Sequence, residues 1–409
     1  MYRSAVLVNL AVFAACARFP VAPAEGGPVW TELTSEHFTV WTDADASRVR
    51  ELIRRMELFH HVAAEVVYPA APSSGRALAI VMRDDRELVE VSGDSRAFSM
   101  QAMRPLWQPT VFLSLTGTGQ RTLVHELTHL ISFSVIHNQP RWLAEGMAAY
   151  FEGAQLDADR TMVTLGAAPL RYGSNARMAP VALLFDWGRT LPAGIEHPLY
   201  QTAWALFAFL INEHKAELAH YLWLIDRAGD PANGAWRVQQ QRAWARGFPS
   251  LPLDALDAQL QDWLQHGSHH ELSFYVRPMD IAITARRLSD ADAYAVRSYL
   301  LDGQTPEQRE RGRAERSQAL ALEPTNVLAW SLLVMDGEKP TVSVGQAIAA
   351  AHPDDWRAWW LAALALENDR GDPAELDRAR GQACELLARN AALVAPPQLC
   401  PAGLHASTP

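Results

Sequence analysis

The stretch "RTLVHELTHLISF" (121–133) constrains the fold of this chain more than any other. Leu123, Val124, Leu127, Leu130 and Ile131 recur at three- and four-residue intervals, the pattern of a helix with a broad buried face. On such a helix His125 and His129 lie one turn apart on the same side, so both imidazoles can reach a single ion. Glu126 stands beside the first histidine, where a carboxylate can take a proton from water made acidic by a metal. Taken alone, the pattern also fits a helix whose polar residues face solvent.

The text that follows raises the metal reading. In "QPRWLAEGMAAYFEG" (139–153), Pro140 opens a second helix at its tolerated first turn, and Glu145 lies on that helix. Packed beside the first helix, it would aim the Glu145 carboxylate at a third metal position and leave the fourth to water, as a catalytic zinc site requires.

Around these helices the periodicity predicts an α+β protein. Residues 28–119 read as mixed α/β: "HFTVWTD" (37–43) alternates as a half-buried strand, 45–68 is helical, and "ALAIVMR" (77–83) is a buried strand. "AFSMQAM" (97–103) and "TVFLSLT" (110–116) are further strands, the second expected at an edge where an extended peptide could add. Residues 120–270 read as mainly helical, with helices at 120–136, 141–153, 200–214, 216–227 and 254–265. Gly- and Pro-rich loops with short strands fill 155–198, and 273–284 forms an extended bridge.

Beyond 285 the pattern changes. Pro324 and Pro353 lie 29 residues apart, as do Trp330 and Trp359, within helical text. This frame resembles the tetratricopeptide repeat, shortened from its usual period of about 34. The resemblance implies an all-α region over 285–395 with a surface for a protein partner; a plain helical bundle fits the same text. Residues 396–409 read as a flexible tail.

Composition bounds the function. At 409 residues the chain is too long for one core. A net charge of −10 with no basic block excludes nucleic acid as an expected partner. Residues 1–24 read as an export signal: Arg3, an apolar run Ala5–Ala17, then Ala22-Pro23-Ala24 as a cleavage site. "FAAC" (13–16) also resembles a bacterial lipobox, which would lipidate Cys16 and supply the only expected membrane attachment. Both readings place the protein outside the cytoplasm: periplasmic, secreted or anchored to the bacterial envelope. Cys384 and Cys400 then remain, an even number suited to a disulfide in an oxidising compartment or to two free thiols.

HELTH followed by WLAEGMAAYFE is similar to the gluzincin metallopeptidases, and most of all to the bacterial peptidase MA-like proteins with their W-L-x-E-G-x-A-x-Y signature. The resemblance implies a zincin-like domain over 28–270 and one zinc ion (Zn2+) on His125, His129 and Glu145. It also implies Glu126 as general base and hydrolysis of a peptide or protein substrate. "YQTAWALFAFLINEH" (200–214) resembles the aminopeptidase segment whose tyrosine stabilises the oxyanion, which implies that role for Tyr200. The Gly-x-Met-Glu-Asn motif that grips a free amino terminus is absent, which weakens an exopeptidase reading. Ala149 stands where thermolysin carries a carboxylate one turn past the third ligand, so histidine orientation falls to another group such as Glu152 or a backbone carbonyl. The reading from another class is a non-catalytic envelope scaffold with a structural or vestigial zinc site.

Other histidines weigh less. His60 and His61 suit helix packing, while His266, His269 and His270 suit a solvated loop. His137 and His197 have only position in their favour, and "TGTG" (116–119) lacks the Lys-Ser/Thr of a phosphate loop.

Overall fold

The structure is a computed structural model. It describes residues 22–67, 76–92, 97–103, 108–116, 119–136, 138–156, 162–166, 178–187, 194–228, 235–267, 271–276, 279–301, 305–389 and 400. The expectations for residues 1–21, Cys16 among them, and for His137, His269, His270 and most of the tail lie outside the described residues.

The observed class is α+β. Two short strands, β1 (Thr31–Thr34) and β2 (Phe38–Thr42), form an antiparallel pair with Leu33 opposite Val40. The helix α1 (Ala46–Val67) returns the chain so that β3 (Ala77–Met82) runs parallel to β2. All six residues of β3 are buried, as a strand flanked and covered on both sides must be. After α2 (Asp85–Ser92), β4 (Phe98–Met103) and β5 (Gln108–Ser114) pair antiparallel, and β5 docks parallel to β3.

"TVFLSLT" is therefore not an edge strand. β5 is held between β3 and β4, with Val111 and Leu113 fully buried and Phe112 nearly so. The outer position falls to β4, because the hairpin folds it over the side that β5 would otherwise expose.

From β5 the chain enters α3 (Gln120–Val135) and α4 (Arg141–Glu152), then a small sheet that begins with β6 (Gln155–Leu156) and β7 (Met162–Leu165). A short 3-10 turn (Val181–Asp186) leads to the helices α5 (Glu196–Glu213), α6 (Lys215–Asp226), α7 (Trp236–Gly247) and α8 (Leu256–His266). β8 (Leu272–Tyr275) completes the small sheet on β7, and β9 (Thr284–Arg287) joins the large sheet beside β1. The large sheet has the order β4-β5-β3-β2-β1-β9.

The remaining chain forms α9 (Asp290–Leu301), α10 (Pro306–Leu322), α11 (Val327–Met335), α12 (Val342–Ala351), α13 (Trp356–Asn368) and α14 (Pro373–Ala388). α9 packs on α10, and α13 on both α12 and α14. The 29-residue frame has a physical counterpart here. Trp330 donates its indole N–H to the Pro324 carbonyl at 2.8 Å, and Trp359 does the same to Pro353 at 2.9 Å. Each bond ties a helix to the turn that precedes it. Cys384 and Cys400 form a disulfide that fastens residue 400 to α14.

The large sheet separates two cores. On one face Val40, Ala79, Val81, Val111 and Leu113 pack against α1 and α3. On the other, Leu78, Ile80, Met82 and Phe112 meet Leu88 and the α9 residues Tyr294, Val296 and Leu300. β9 extends the large sheet beside β1, and α9 packs on the sheet's far face.

Candidate metal centre

α3 is anchored by Leu123, Val124, Leu127 and Leu130, each no more than 2 % exposed. That burial fixes its rotation, and the histidines point to the side where α4 lies. α4 is buried along almost its whole length, and Gly146 allows α5 to approach it closely. A Cβ at Gly146 would sit 2.4 Å from the Ala203 carbonyl oxygen and 3.2 Å from Phe207 Cβ. Only glycine fits that crossing. The same approach brings Tyr200, one turn before Ala203, against Glu145, the residue next to the glycine.

Three ligand-type atoms converge. His125 Nε2 and His129 Nε2 are 3.3 Å apart, and Glu145 Oε2 is 3.5 Å from the first and 3.4 Å from the second. A tetrahedral ion with bonds of about 2.0–2.1 Å separates its ligands by roughly 3.3–3.4 Å. The triangle therefore already has the size of one face of such a coordination shell. Among the described residues this is the one group of three or more His, Cys, Asp or Glu close enough to hold a metal. Two imidazoles and one carboxylate, with an open fourth side, suit a borderline ion such as zinc better than an all-oxygen ion.

Behind the ligands, Glu152 Oε2 lies 3.4 Å from His125 Nδ1. Glu152 sits seven residues after Glu145, two turns along α4, and is 8 % exposed. It lies beside that ring nitrogen without a hydrogen bond to it, where an orienting group could act in place of Ala149. Burial disfavours the His125 cation, but the carboxylates of Glu145, Glu152 and Glu126 outweigh it and push the pKa up to about 9. Burial likewise works against the Glu145 carboxylate, yet its contacts with His125 and His129 hold it well below the usual range. The carboxylates thus favour a positive charge at this point.

Glu126 is half-buried next to His125 and forms no hydrogen bond or ion pair with another described residue. The Tyr200 hydroxyl donates to Glu145 Oε1 at 3.4 Å, so it stands at the edge of the triangle. Burial and then the Glu145 charge raise its pKa, which keeps it a proton donor. All five residues singled out from the sequence thus fall on or beside one point.

Two neighbours of the site, Arg141 and Trp187, were not singled out from the sequence. Arg141, one turn before Glu145, places Nε 3.8 Å from Glu145 Oε1, and its guanidinium lies over the Trp187 ring at 5.0 Å. Trp187 in turn meets the Tyr200 ring edge-on at 4.9 Å. For Arg141 the helical spacing from Glu145 was the available clue.

Other described histidines lie elsewhere. His60 stacks on His37 at 3.8 Å, beside a cavity of about 590 Å³, and burial lowers its pKa to about 4. His197 contacts Gln201 at 2.7 Å, and His266 pairs with Asp262 on an exposed surface. No known protein-family model matches the chain, and a search of curated proteins finds no match either.

Proposed function

We propose that the protein is a zinc-dependent peptidase whose ion is held by His125, His129 and Glu145. The observation that carries this reading is the triangle of 3.3, 3.4 and 3.5 Å edges with Glu126 beside it. Zinc, when bound there, would acidify water at its open side and polarise the substrate carbonyl. Glu126 accepts the proton of the attacking water as oxygen adds to the carbonyl carbon. It then returns that proton to the leaving amine as the C–N bond breaks. The Tyr200 hydroxyl donates to the oxyanion that develops between those steps. Glu152 fixes the ring of His125 and leaves its Nε2 free for the ion.

Of the two outer strands of the large sheet among the described residues, β4 and β9, it is β4 that packs beside α3, so strand addition of an extended substrate belongs there rather than on β5. The repeated Trp-to-Pro bonds support a tetratricopeptide-like reading of the C-terminal helices, with a surface for a protein partner. The Cys384–Cys400 disulfide supports an exported protein. No described helix is long and apolar enough to cross a membrane.

The test is Glu126→Gln, assayed on an unfolded protein substrate with zinc content measured in parallel. The expected result is retained zinc and hydrolysis lower by about 10²–10⁴-fold. A zinc-loaded parent that cleaves no peptide bond contradicts the reading and favours the scaffold alternative.

A further inference from the structure

The Glu145 carboxylate is used on both sides. Oε2 faces the two histidines, whereas Oε1 faces the Tyr200 hydroxyl and Arg141 Nε. Arg141 therefore holds a permanent positive charge roughly 6–7 Å from where an ion would sit, a carboxylate's width plus its contacts.

Besides an interaction with the Tyr200 hydroxyl, that guanidinium is loosely held. Its contacts with Glu145 and Glu196 are 3.8 and 4.0 Å, longer than hydrogen bonds. Glu196 is 68 % exposed at its side chain, so this second pair is a weak surface contact. Trp187, only 7 % exposed, supports the guanidinium plane from below, while 41 % of the Arg141 side chain remains open. A guanidinium lying over an aromatic ring and partly open to solvent can receive a carboxylate in two parallel hydrogen bonds.

We propose that Arg141 is a specificity-determining residue that binds a substrate carboxylate next to the scissile bond, a proposal that rests on the peptidase reading. One residue of extended chain spans about 3.3–3.6 Å, so a carboxylate on the residue flanking the bond falls within reach of Arg141. The carboxylate comes either from an acidic side chain or from a free chain terminus. The bland alternative is that Arg141 merely offsets the charge of Glu145.

Matched peptides separate these cases. One pair differs by Glu against Gln beside the scissile bond; a second carries a free or an amidated carboxyl terminus one residue beyond it. The parent is expected to favour the carboxylate member of at least one pair by about tenfold or more in kcat/KM, and the pair that responds identifies the source. Arg141→Gln should bring that ratio close to one at equal zinc content, and Arg141→Glu should turn the preference towards Lys. A ratio that survives Arg141→Gln, or a parent with no preference, overturns the proposal.

Binding keeps the two readings distinguishable. Zinc-loaded Glu126→Gln protein is titrated calorimetrically with the same pairs, with and without Arg141→Gln. A carboxylate preference that disappears with Arg141 supports the proposal even where hydrolysis is absent and the peptidase reading has failed. Equal affinities for both members before the substitution, or no binding of either, overturn it.

Discussion

The metal centre and the C-terminal helices bury charge in opposite ways. Among α9–α11, Arg297 lies in a two-bond pair with Glu315 at 2.6 Å, and Arg316 meets Asp336 at 2.9 Å. Each buried cation there has its own anion, which is what a stable interior requires. Between α3 and α4, Glu145 instead shares its two oxygens among His125, His129 and the half-exposed Arg141, while Glu152 faces His125 alone. The carboxylates of Glu145, Glu152 and Glu126 outweigh burial and push the His125 pKa up to about 9. The C-terminal pairs join one cation to one anion, whereas here several ligand-type groups crowd one point.

The contrast can be broken at either end. The larger effect is expected from Glu152→Gln, which keeps the shape of α4 but removes the charge behind His125. Zinc affinity, measured by competition with a chelating dye, should weaken about 10–100-fold. An unchanged affinity would mean that Glu152 only fills space. The smaller effect belongs to the C-terminal helices. Trp359→Phe removes the indole bond to Pro353 and should cost about 1 kcal/mol in urea unfolding, with the zinc affinity untouched. Loss of zinc in this variant would show the two regions to be coupled and would undo the contrast between them.

Much of the centre was legible because helical spacing is local. His125 and His129 are four residues apart, and Glu145 and Glu152 seven, so each pair shares a helix face whatever the rest of the chain does. Tyr200 was reachable only through resemblance, since nothing local in α5 announces its contact with α4. The crossing depends on Gly146 meeting Ala203, a pairing of distant segments.

The sheet shows where this legibility ends. β5 reads as a strand, but its two neighbours are set by a hairpin and by a distant parallel partner, neither visible in its own residues. β9 is exposed at all four positions and lacks the alternation that marks a strand, so it read only as the end of a bridge. Likewise, the covering of the sheet's far face by α9 has no local signal.

The proposed function depends on zinc binding by His125, His129 and Glu145. X-ray absorption at the zinc edge of purified full-length protein tests it most directly. The expected result is one zinc per chain, with two imidazole nitrogens and oxygen donors at about 2.0–2.1 Å, and loss of that spectrum in His129→Ala. Protein free of zinc after exposure to it, or zinc bound equally well without His129, would contradict the claim.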